Sequence, residues 1–467
     1  MAERTAALVL AAGTGSRFGG GKLLAPLRGH PLLQHVLDQL AEAGVGEVVV
    51  VLGRDADAVE GVIAWRSETR VVNPDPERGL ASSLQIGMAM LDPGADAVLV
   101  LLGDQPLVAP ATIRALMAAP LDSKRPVVVP AYANDRGRNP VLLRRAGFGL
   151  ADEATGDRGL GPVIEAHPEL VNEISISGDN PDVDTHDDLA RVVEAAWADR
   201  VRANRLQVER FREVPDGDDF YAPVQALFRA DPTRTDDPIL NELVDHLRPG
   251  ETWLDVGAGA GRFALPIARA LDESGGSVVA LDPSGSMLES LREIAEDYDI
   301  ENVRTAHVRW PPASPSNFEA DVVLIAHVAY DIEEIGAFVD GLETAARRLC
   351  VAVLMERQPS SIADACWPPV HGEPRVPLPA LRDLVELLEA RGRRPSVTML
   401  EREPRRFESR DALGGFLRRQ LWIADGGEKE RRFLEAFEAL VVEEDGRFGL
   451  ADQRPLPVGI ATWAPRP

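Results

Sequence analysis

The residues able to do chemistry gather in two glycine-rich turns and one acidic turn. The first glycine turn reads Leu8-Val9-Leu10-Ala11-Ala12-Gly13-Thr14-Gly15-Ser16-Arg17-Phe18-Gly19-Gly20-Gly21-Lys22. Glycines there let the backbone approach a phosphate and aim N–H groups at it. Arg17 and Lys22 add cations suited to a polyphosphate. Only Lys22, Lys124 and Lys429 among the 50 basic residues are lysines, so a lysine in this turn stands out. The bland alternative is a tight strand–helix turn with solvated charges. Spacing excludes two other phosphate turns. A P-loop needs glycine where Ser16 stands and Ser or Thr where Leu23 stands, and a dinucleotide fingerprint needs glycine where Phe18 stands.

The second glycine turn, Trp253-Leu254-Asp255-Val256-Gly257-Ala258-Gly259-Ala260-Gly261-Arg262-Phe263, reads as strand, GxGxG, then helix. Arg262 defeats the spacing of a nicotinamide-dinucleotide site. Asp282 closes the next apolar run, 25 positions beyond Gly257. A carboxylate there can accept hydrogen bonds from both hydroxyls of an adenosyl ribose. The acidic turn is Gly103-Asp104-Gln105-Pro106, directly after the apolar run 96–102. By itself Asp104 is as well explained as a turn former. At the carboxyl edge of a parallel sheet it would instead suit Mg²⁺, which takes one or two protein carboxylates plus water and phosphate oxygens.

Elements that hold these turns follow from periodicity. Runs at 7–11, 48–52 and 96–102 read as strands, and 32–43 has apolar residues at helical spacing. Continuous apolar strands alternating with helices predict a parallel sheet covered on both faces. A helix starts near Asp188 and runs into a charged stretch around 200–212, broken by Pro215-Asp216-Gly217-Asp218-Asp219. A second alternation begins with a helix at 239–247, then strands at 252–256, 277–281, 303–308, 321–325 and 349–355. Strand-like runs at 397–402 and 458–463 flank a helical stretch from Asp411 to about Val442 and predict an antiparallel edge and a cap. Trp422, Phe433 and Phe437 are read as that cap's core, and proline-rich patches at 311–315 and 368–379 as loops. The expected fold class is α/β, with two doubly wound, Rossmann-like domains, the second having a mixed sheet and a helical C-terminal cap. Domain one is placed at 1–195, a helical linker at 196–214 and domain two at 215–467.

Composition narrows the partners. The 467 residues hold 50 basic and 75 acidic side chains, a net charge of −25 spread along the chain. Such a field disfavours nucleic acid and anionic membranes, whose footprint is a basic patch. Two cysteines, Cys350 and Cys366, without metal-ligand spacing predict buried thiols in a reducing compartment. No apolar run approaches the roughly 18 residues of a membrane span. A cytoplasmic location is expected.

The first turn resembles the opening signature of MobA-like nucleotidyltransferases, and the resemblance extends over 1–190. Asn73-Pro74 with Gly79-Leu80-Ala81-Ser82-Ser83-Leu84, the Gly103-Asp104-Gln105-Pro106 turn and Asn139-Pro140-Val141-Leu142 are similar to family segments in the same order. So are Gly156-Asp157-Arg158-Gly159 and Val183-Asp184-Thr185-His186-Asp187-Asp188, with His186 replacing the usual proline. The L-A-A-G opening and the GDQP form resemble the branch that cytidylylates molybdopterin. The resemblance implies Asp104 and Asp184 as Mg²⁺ ligands and Lys22, Arg17 and Asp104 as catalytic residues. It also implies that Ala11, Ala12, Gly13, Gly15, Ser82, Ser83 and Asn139 line the site for CTP and a small phosphorylated, molybdopterin-type substrate. A molybdoenzyme is an implied partner.

Residues 215–360 resemble class I S-adenosylmethionine-dependent methyltransferases. The resemblance implies that Asp255, Gly257, Gly259, Gly261 and Asp282 bind S-adenosylmethionine, and Met287-Leu288 after Asp282-Pro283-Ser284 adds to it. His307-Val308-Arg309-Trp310-Pro311 departs from the family's Gly-Asp-Ala, leaving Trp310 either stacked on adenine or packed in the core. His327 and Tyr330 either face the methyl acceptor or are structural. Alternatives at the level of the whole protein are an NTP transferase for another small phosphorylated substrate, and a second half that only binds S-adenosylmethionine or docks a partner. A third, a first half that is a catalytically dead scaffold, sits poorly with the intact Lys22, Asp104 and Asp184.

Overall fold

The computed structural model describes residues 3–13, 15–133, 137–215, 229, 231–451 and 455–466. The chain divides into two units, Met1–Arg191 and Val192–Pro467, and the boundary falls inside one helix, His186–Phe211. The break expected at Asp216–Asp219 lies outside the described residues.

The first unit contains β1 (Thr5–Ala11), the short ladder β2 (Pro26–Leu27) and β3 (His30–Pro31), β4 (Glu47–Leu52), β5 (Thr69–Val72), β6 (Ala97–Leu102), β7 (Val127–Tyr132), β8 (Val141–Arg144) and β9 (Val171–Ile176). Its seven-stranded sheet runs β5-β4-β1-β6-β8-β7-β9. The central strand β1 is buried on both faces. Ala7, Val9 and Ala11 join Leu33, Val36, Leu37 and Leu40 of the helix Leu32–Ala43, while Leu8 and Leu10 join Ala81 and Leu84 of the helix Leu80–Ala89. Burying each large aliphatic side chain contributes about 2 kcal/mol, so β1 is the rigid base of everything mounted at its end. The sheet is not wholly parallel as expected, because β8 runs antiparallel to both β6 and β7. Only residues 133–140 join β7 to β8, and a parallel crossover needs a dozen or more.

The second unit contains β10 (Thr252–Val256), β11 (Ser277–Asp282), β12 (Val303–His307), β13 (Ala320–Ala326), β14 (Ala346–Met355), β15 (Ser396–Leu400), the hairpin β16 (Val441–Glu444) and β17 (Arg447–Leu450), and β18 (Val458–Trp463). Its sheet runs β12-β11-β10-β13-β14-β18-β15, with β18 antiparallel to both neighbours. Helices Arg410–Gln420 and Glu428–Leu440 form the cap, where Leu413, Leu417, Phe433 and Phe437 share a core with Trp367. Trp422 lies at the edge of that core. Pro368 does not open a loop: it sits in the first turn of the helix Trp367–His371, where its missing N–H costs no hydrogen bond. Cys350 and Cys366 are both free and fully buried.

Residues 196–211 are helical and carry contacts within the second unit. Trp197 Nε1 donates to the Ile332 carbonyl at 2.8 Å, and Gln207 Nε2 donates to Glu373 and to the Pro374 carbonyl. Among the described residues no helix is long and apolar enough to cross a membrane.

Candidate functional site

In the first sheet the chain builds outward from β1 through β4 to β5, then returns to place β6 on the other side of β1. The loops after β1 and β6 therefore diverge and leave a crevice at the carboxyl edge, where open α/β sheets bind ligands. The first glycine turn and Asp104 both stand there. Ala11 and Ala12 are buried at the end of β1, whereas a Cβ at Gly13 would meet no atom within 4 Å. Gly15 has φ +56° and its carbonyl accepts from the N–H groups of Phe18 and Gly20, folding the turn Ser16–Phe18. Gly19, Gly20 and Gly21 all have positive φ, which suits glycine alone without strain.

This turn brings Lys22 back to the crevice, where its side chain is buried. Lys22 Nζ donates to Asp104 Oδ2 at 2.6 Å and to Asp184 Oδ1 at 2.7 Å. Arg17 Nη1 donates to Asp184 Oδ2 at 3.1 Å. Burial works against the Lys22 ammonium, but the charges and hydrogen bonds of Asp104 and Asp184 outweigh it and raise its pKa. Asp104 Oδ1 is buried and has no hydrogen-bond partner among the described residues.

Asp184 is held by a reciprocal cap at the start of the long helix. Thr185 N and Oγ1 donate to Asp188 Oδ2 at 2.7 Å, and Asp188 N donates back to Thr185 Oγ1 at 3.1 Å. His186, in place of proline, lays its ring 4.1 Å from that of Phe18 and so ties the cap to the glycine turn. Sequence reasoning missed Asp182. Burial and then the Asp104 charge raise its pKa, although Gln105 Nε2 donates to it at 2.6 Å. Its available signal was an acid two positions before Asp184. Among the described residues no three His, Cys, Asp or Glu side chains converge as a metal group, so the candidate metal centre is the Asp104–Asp184 pair.

Ser82 and Ser83 are buried and both hydroxyls accept from Asn73 Nδ2 at 2.9 Å, while Ser82 Oγ donates to the Gly79 carbonyl. A Cβ at Gly79 would lie 2.5 Å from the carbonyl carbon of Gly156, so the 79 turn rests on the 156–159 turn. The Asn139 carbonyl accepts from Tyr132 Oη at 3.0 Å. Among the described residues no hydrogen bond joins Ser82, Ser83 or Asn139 to the Lys22 group; the sequence segments are drawn together less tightly than the charged trio.

The second sheet reverses in the same way between β10 and β13. Gly257 and Ala258 donate from their N–H groups to the Leu281 carbonyl at 2.8 and 2.9 Å. Gly259 N donates to Asp282 Oδ2 and Ser284 N to Asp282 Oδ1, both at 2.8 Å. Asp282 thus ties the loop after β10 to the loop after β11. The three glycines differ in purpose. A Cβ at Gly257 would lie 2.4 Å from Val328 Cγ2, and one at Gly261 2.8 Å from Leu265 Cγ, whereas Gly259 faces open space. Asp255 is fully buried beneath the loop. Burial and the Asp282 charge push its carboxyl up to about 7, and its Oδ1 has no hydrogen-bond partner among the described residues.

Trp310 is in the core. Its Nε1 donates to the Phe338 carbonyl on the helix Ile335–Ala345 at 3.3 Å. Tyr330 Oη accepts from Met355 N at 2.8 Å, which assigns it a structural bond across the sheet edge, and burial raises its pKa. His327 and Ala329 have φ +58° and +91°, strained values for residues with side chains, in the loop that faces Gly257. Burial, then the charges of Arg402 and Arg262, lower the His327 imidazole to about 4.

A family model described as the MobA-like NTP transferase domain matches residues 7–171, and one described as a methyltransferase domain matches 254–350. The chain is a fusion of these two families: its first region belongs to the MobA-like NTP transferases and its second to the methyltransferases. The bifunctional protein GlmU of Bordetella petrii is 39% identical over 153 residues, which are 32% of this chain and 29% of that protein. The chain spans less than a third of the length of such curated relatives. The crystal structure of Rv0371c from Mycobacterium tuberculosis H37Rv is 33% identical, covers 42% of this chain and 100% of its own, and has a TM-score of 0.37. The YcgJ protein from Bacillus subtilis is 14% identical, covers 49% of this chain and 98% of its own, and has a TM-score of 0.34.

Proposed function

We propose that the chain is a bifunctional transferase: a Mg²⁺-dependent nucleotidyltransferase in residues 1–195 and an S-adenosylmethionine-dependent methyltransferase in 215–467, joined through the helical stretch 196–214. The first activity moves CMP from CTP onto the phosphate of a molybdopterin-type substrate. The observation that carries it is Lys22 bridging Asp104 and Asp184, with Arg17 alongside, in a crevice beside the open Gly13. The buried, unpartnered Asp104 Oδ1 fits a divalent cation. Asp104 and Asp184 would be the residues that hold Mg²⁺, whose chemistry there would be charge neutralisation at the triphosphate oxygens. Lys22 and Arg17, which stand at the same crevice, would add positive charge toward the same phosphates. The substrate phosphate attacks the α-phosphorus in line and pyrophosphate leaves, so alignment and charge neutralisation supply most of the catalysis. The preference for CTP and a molybdopterin-type acceptor rests on the L-A-A-G opening and the GDQP turn.

For the second activity, the open space at Gly259 and the Asp282 carboxylate beneath it fit an adenosyl group, with Asp282 accepting from the ribose. Methyl transfer is an in-line displacement: an acceptor lone pair bonds the methyl carbon as the C–S bond breaks and its electrons pass to sulfur. It needs alignment more than a strong base.

Thermal-shift titration of the whole protein with CTP, GTP, ATP and UTP in Mg²⁺, and separately with S-adenosylmethionine, tests both halves, because a ligand that binds only the folded state raises its stability by mass action. A CTP-selective shift plus one with S-adenosylmethionine is expected. Equal shifts with all four nucleotides would remove the CTP assignment. A shift with S-adenosylmethionine but none with any nucleotide would overturn the first activity.

A further inference from the structure

Beside the second glycine loop lies a cavity of about 250 Å³, lined by Arg234, Asp237, Arg262, Leu400, Arg402 and Val458, with Asp236 and Glu401 also on its wall. Its position is set by the sheet. Leu400 ends β15, and Val458, which pairs with it, begins the antiparallel β18, so both stand at the edge where β10, β11 and β13 also end. Arg262 directly follows the GxGxG turn. The cavity therefore opens on the same edge as the proposed adenosyl site, and it is smaller than the roughly 300–1,000 Å³ of drug-sized pockets.

Its charges are unequal in availability. Asp237 is fully engaged: it accepts from Ile239 N and Leu240 N, from Arg234 Nε at 3.0 Å and from Arg262 Nη2 at 2.8 Å. Asp236 and Glu401 are solvent-exposed. Arg402 has no hydrogen-bond or carboxylate partner among the described residues, yet its charge acts on its neighbours. Burial and then Arg402 lower the pKa of Arg405. At His327, Arg402 leads Arg262 after burial, and together they outweigh Asp237. The lining holds three arginines and three carboxylates, so its formal charge balances; what distinguishes it is that Arg402 has no partner among the described residues and acts, with Arg262, on His327. Guanidinium groups are suited to bidentate binding of carboxylate or phosphate.

We propose that this cavity is the methyl-acceptor pocket and that it takes a small anionic acceptor, whose carboxylate or phosphate oxygens bind Arg402 and Arg262. The inference rests on the methyltransferase reading of residues 215–467. Arg262 would share its charge between Asp237 and the ligand, and Arg402 supplies the charge that Asp237 does not already neutralise. Arg262, directly after the glycine turn, is the wall residue that brings a bound anion next to the proposed adenosyl site.

The test is calorimetric titration of the full chain with succinate, with inorganic phosphate and with choline, in the wild type and in Arg402→Gln, alongside a titration with S-adenosylmethionine. Arg402 is exposed and caps no helix, so its replacement leaves the fold intact. Saturable binding of one of the two anions, at least tenfold weaker in Arg402→Gln, with unchanged S-adenosylmethionine affinity, is expected. Which anion binds distinguishes a carboxylate from a phosphate acceptor. Anion binding that is equal in the two proteins, or choline binding as well as the anions, would overturn the pocket assignment. Arg402-dependent anion binding in a protein that gives no heat with S-adenosylmethionine would instead overturn the methyltransferase reading and leave an anion site.

Discussion

The two glycine turns occupy equivalent places, each at the reversal point of a seven-stranded sheet, yet they are built by opposite means. The first collects side-chain charge. A flexible run of glycines returns Lys22 to two carboxylates, and Arg17 closes the group. The second collects backbone dipoles: Gly257 and Ala258 fasten to the Leu281 carbonyl, and Gly259 to Asp282. A polyphosphate with a divalent cation calls for side-chain charge of both signs, carboxylates for the cation and a lysine and arginine for the phosphates. An adenosyl sulfonium carries its own positive charge, so a glycine turn with the Asp282 carboxylate beneath it suits that ligand. One sheet topology thus serves two chemistries according to what is mounted at its edge.

The largest test of this contrast is Asp104→Ala. Nucleotidyl transfer, followed by pyrophosphate release, is expected to fall by on the order of 10²–10³-fold, with the circular dichroism spectrum and S-adenosylmethionine binding unchanged. Turnover near the wild-type rate would remove Asp104 from the site. Next, Asp282→Ala takes away the acceptor of Gly259 N and is expected to weaken S-adenosylmethionine binding by about 1–3 kcal/mol, the scale of a hydrogen bond to a charged group. Equal affinities by calorimetry would show that the second loop does not work through this carboxylate.

The glycines themselves can be separated. Gly257→Ala drives a methyl group into Val328 and is expected to lower unfolding stability by about 1–3 kcal/mol beyond the cost of its backbone conformation. Gly259→Ala meets no atom and carries only the left-handed backbone cost of about 1–2 kcal/mol, while filling the adenosyl cradle. Urea denaturation beside ligand titration checks both; Gly259→Ala with intact ligand affinity would move the cradle elsewhere.

The smallest effect is a pH slope. Asp255 is lifted from 3.8 to about 7 in the folded state, so between these values the folded protein holds a proton that the unfolded chain has released. Stability from this group is lost as pH rises from about 4 to about 7 and is level above that. The lowered His327 pKa works in the opposite sense below about 6.5, so the comparison must be made between proteins. Asp255→Asn is expected to gain stability relative to the wild type across pH 4–7 in urea titrations. Parallel profiles would mean that Asp255 is ionised when folded.

Much of the fold was legible because it rests on local patterns. The helix Leu32–Ala43 and the strand Thr252–Val256 agree with their periodicity residue for residue. The antiparallel direction of β8 was hidden, since it depends on where a short connection lets the chain turn back. The hairpin of β16 and β17 was missed for a related reason: its four-residue strands carry too few apolar positions to declare a period. At the first site, Lys22, Asp104 and Asp184 were legible through their motifs, while Asp182 had no motif to announce it. At the second, Trp310 was undecided until its indole was seen bonded to the Phe338 carbonyl.

By itself the sequence determined the two α/β alternations, the two glycine turns, the excess of acid and the identities of the groups that carry charge. These are properties of residue type and short spacing, which chain order records directly. Only the tertiary structure decided that Lys22 bridges carboxylates 82 and 162 positions away, that Asp237 is already saturated while Arg402 is not, and that Gly257 is sterically required where Gly259 is open. The reason is that a charge or a cavity acts through distance in space, and the sheets bring together at one edge residues that the chain keeps far apart.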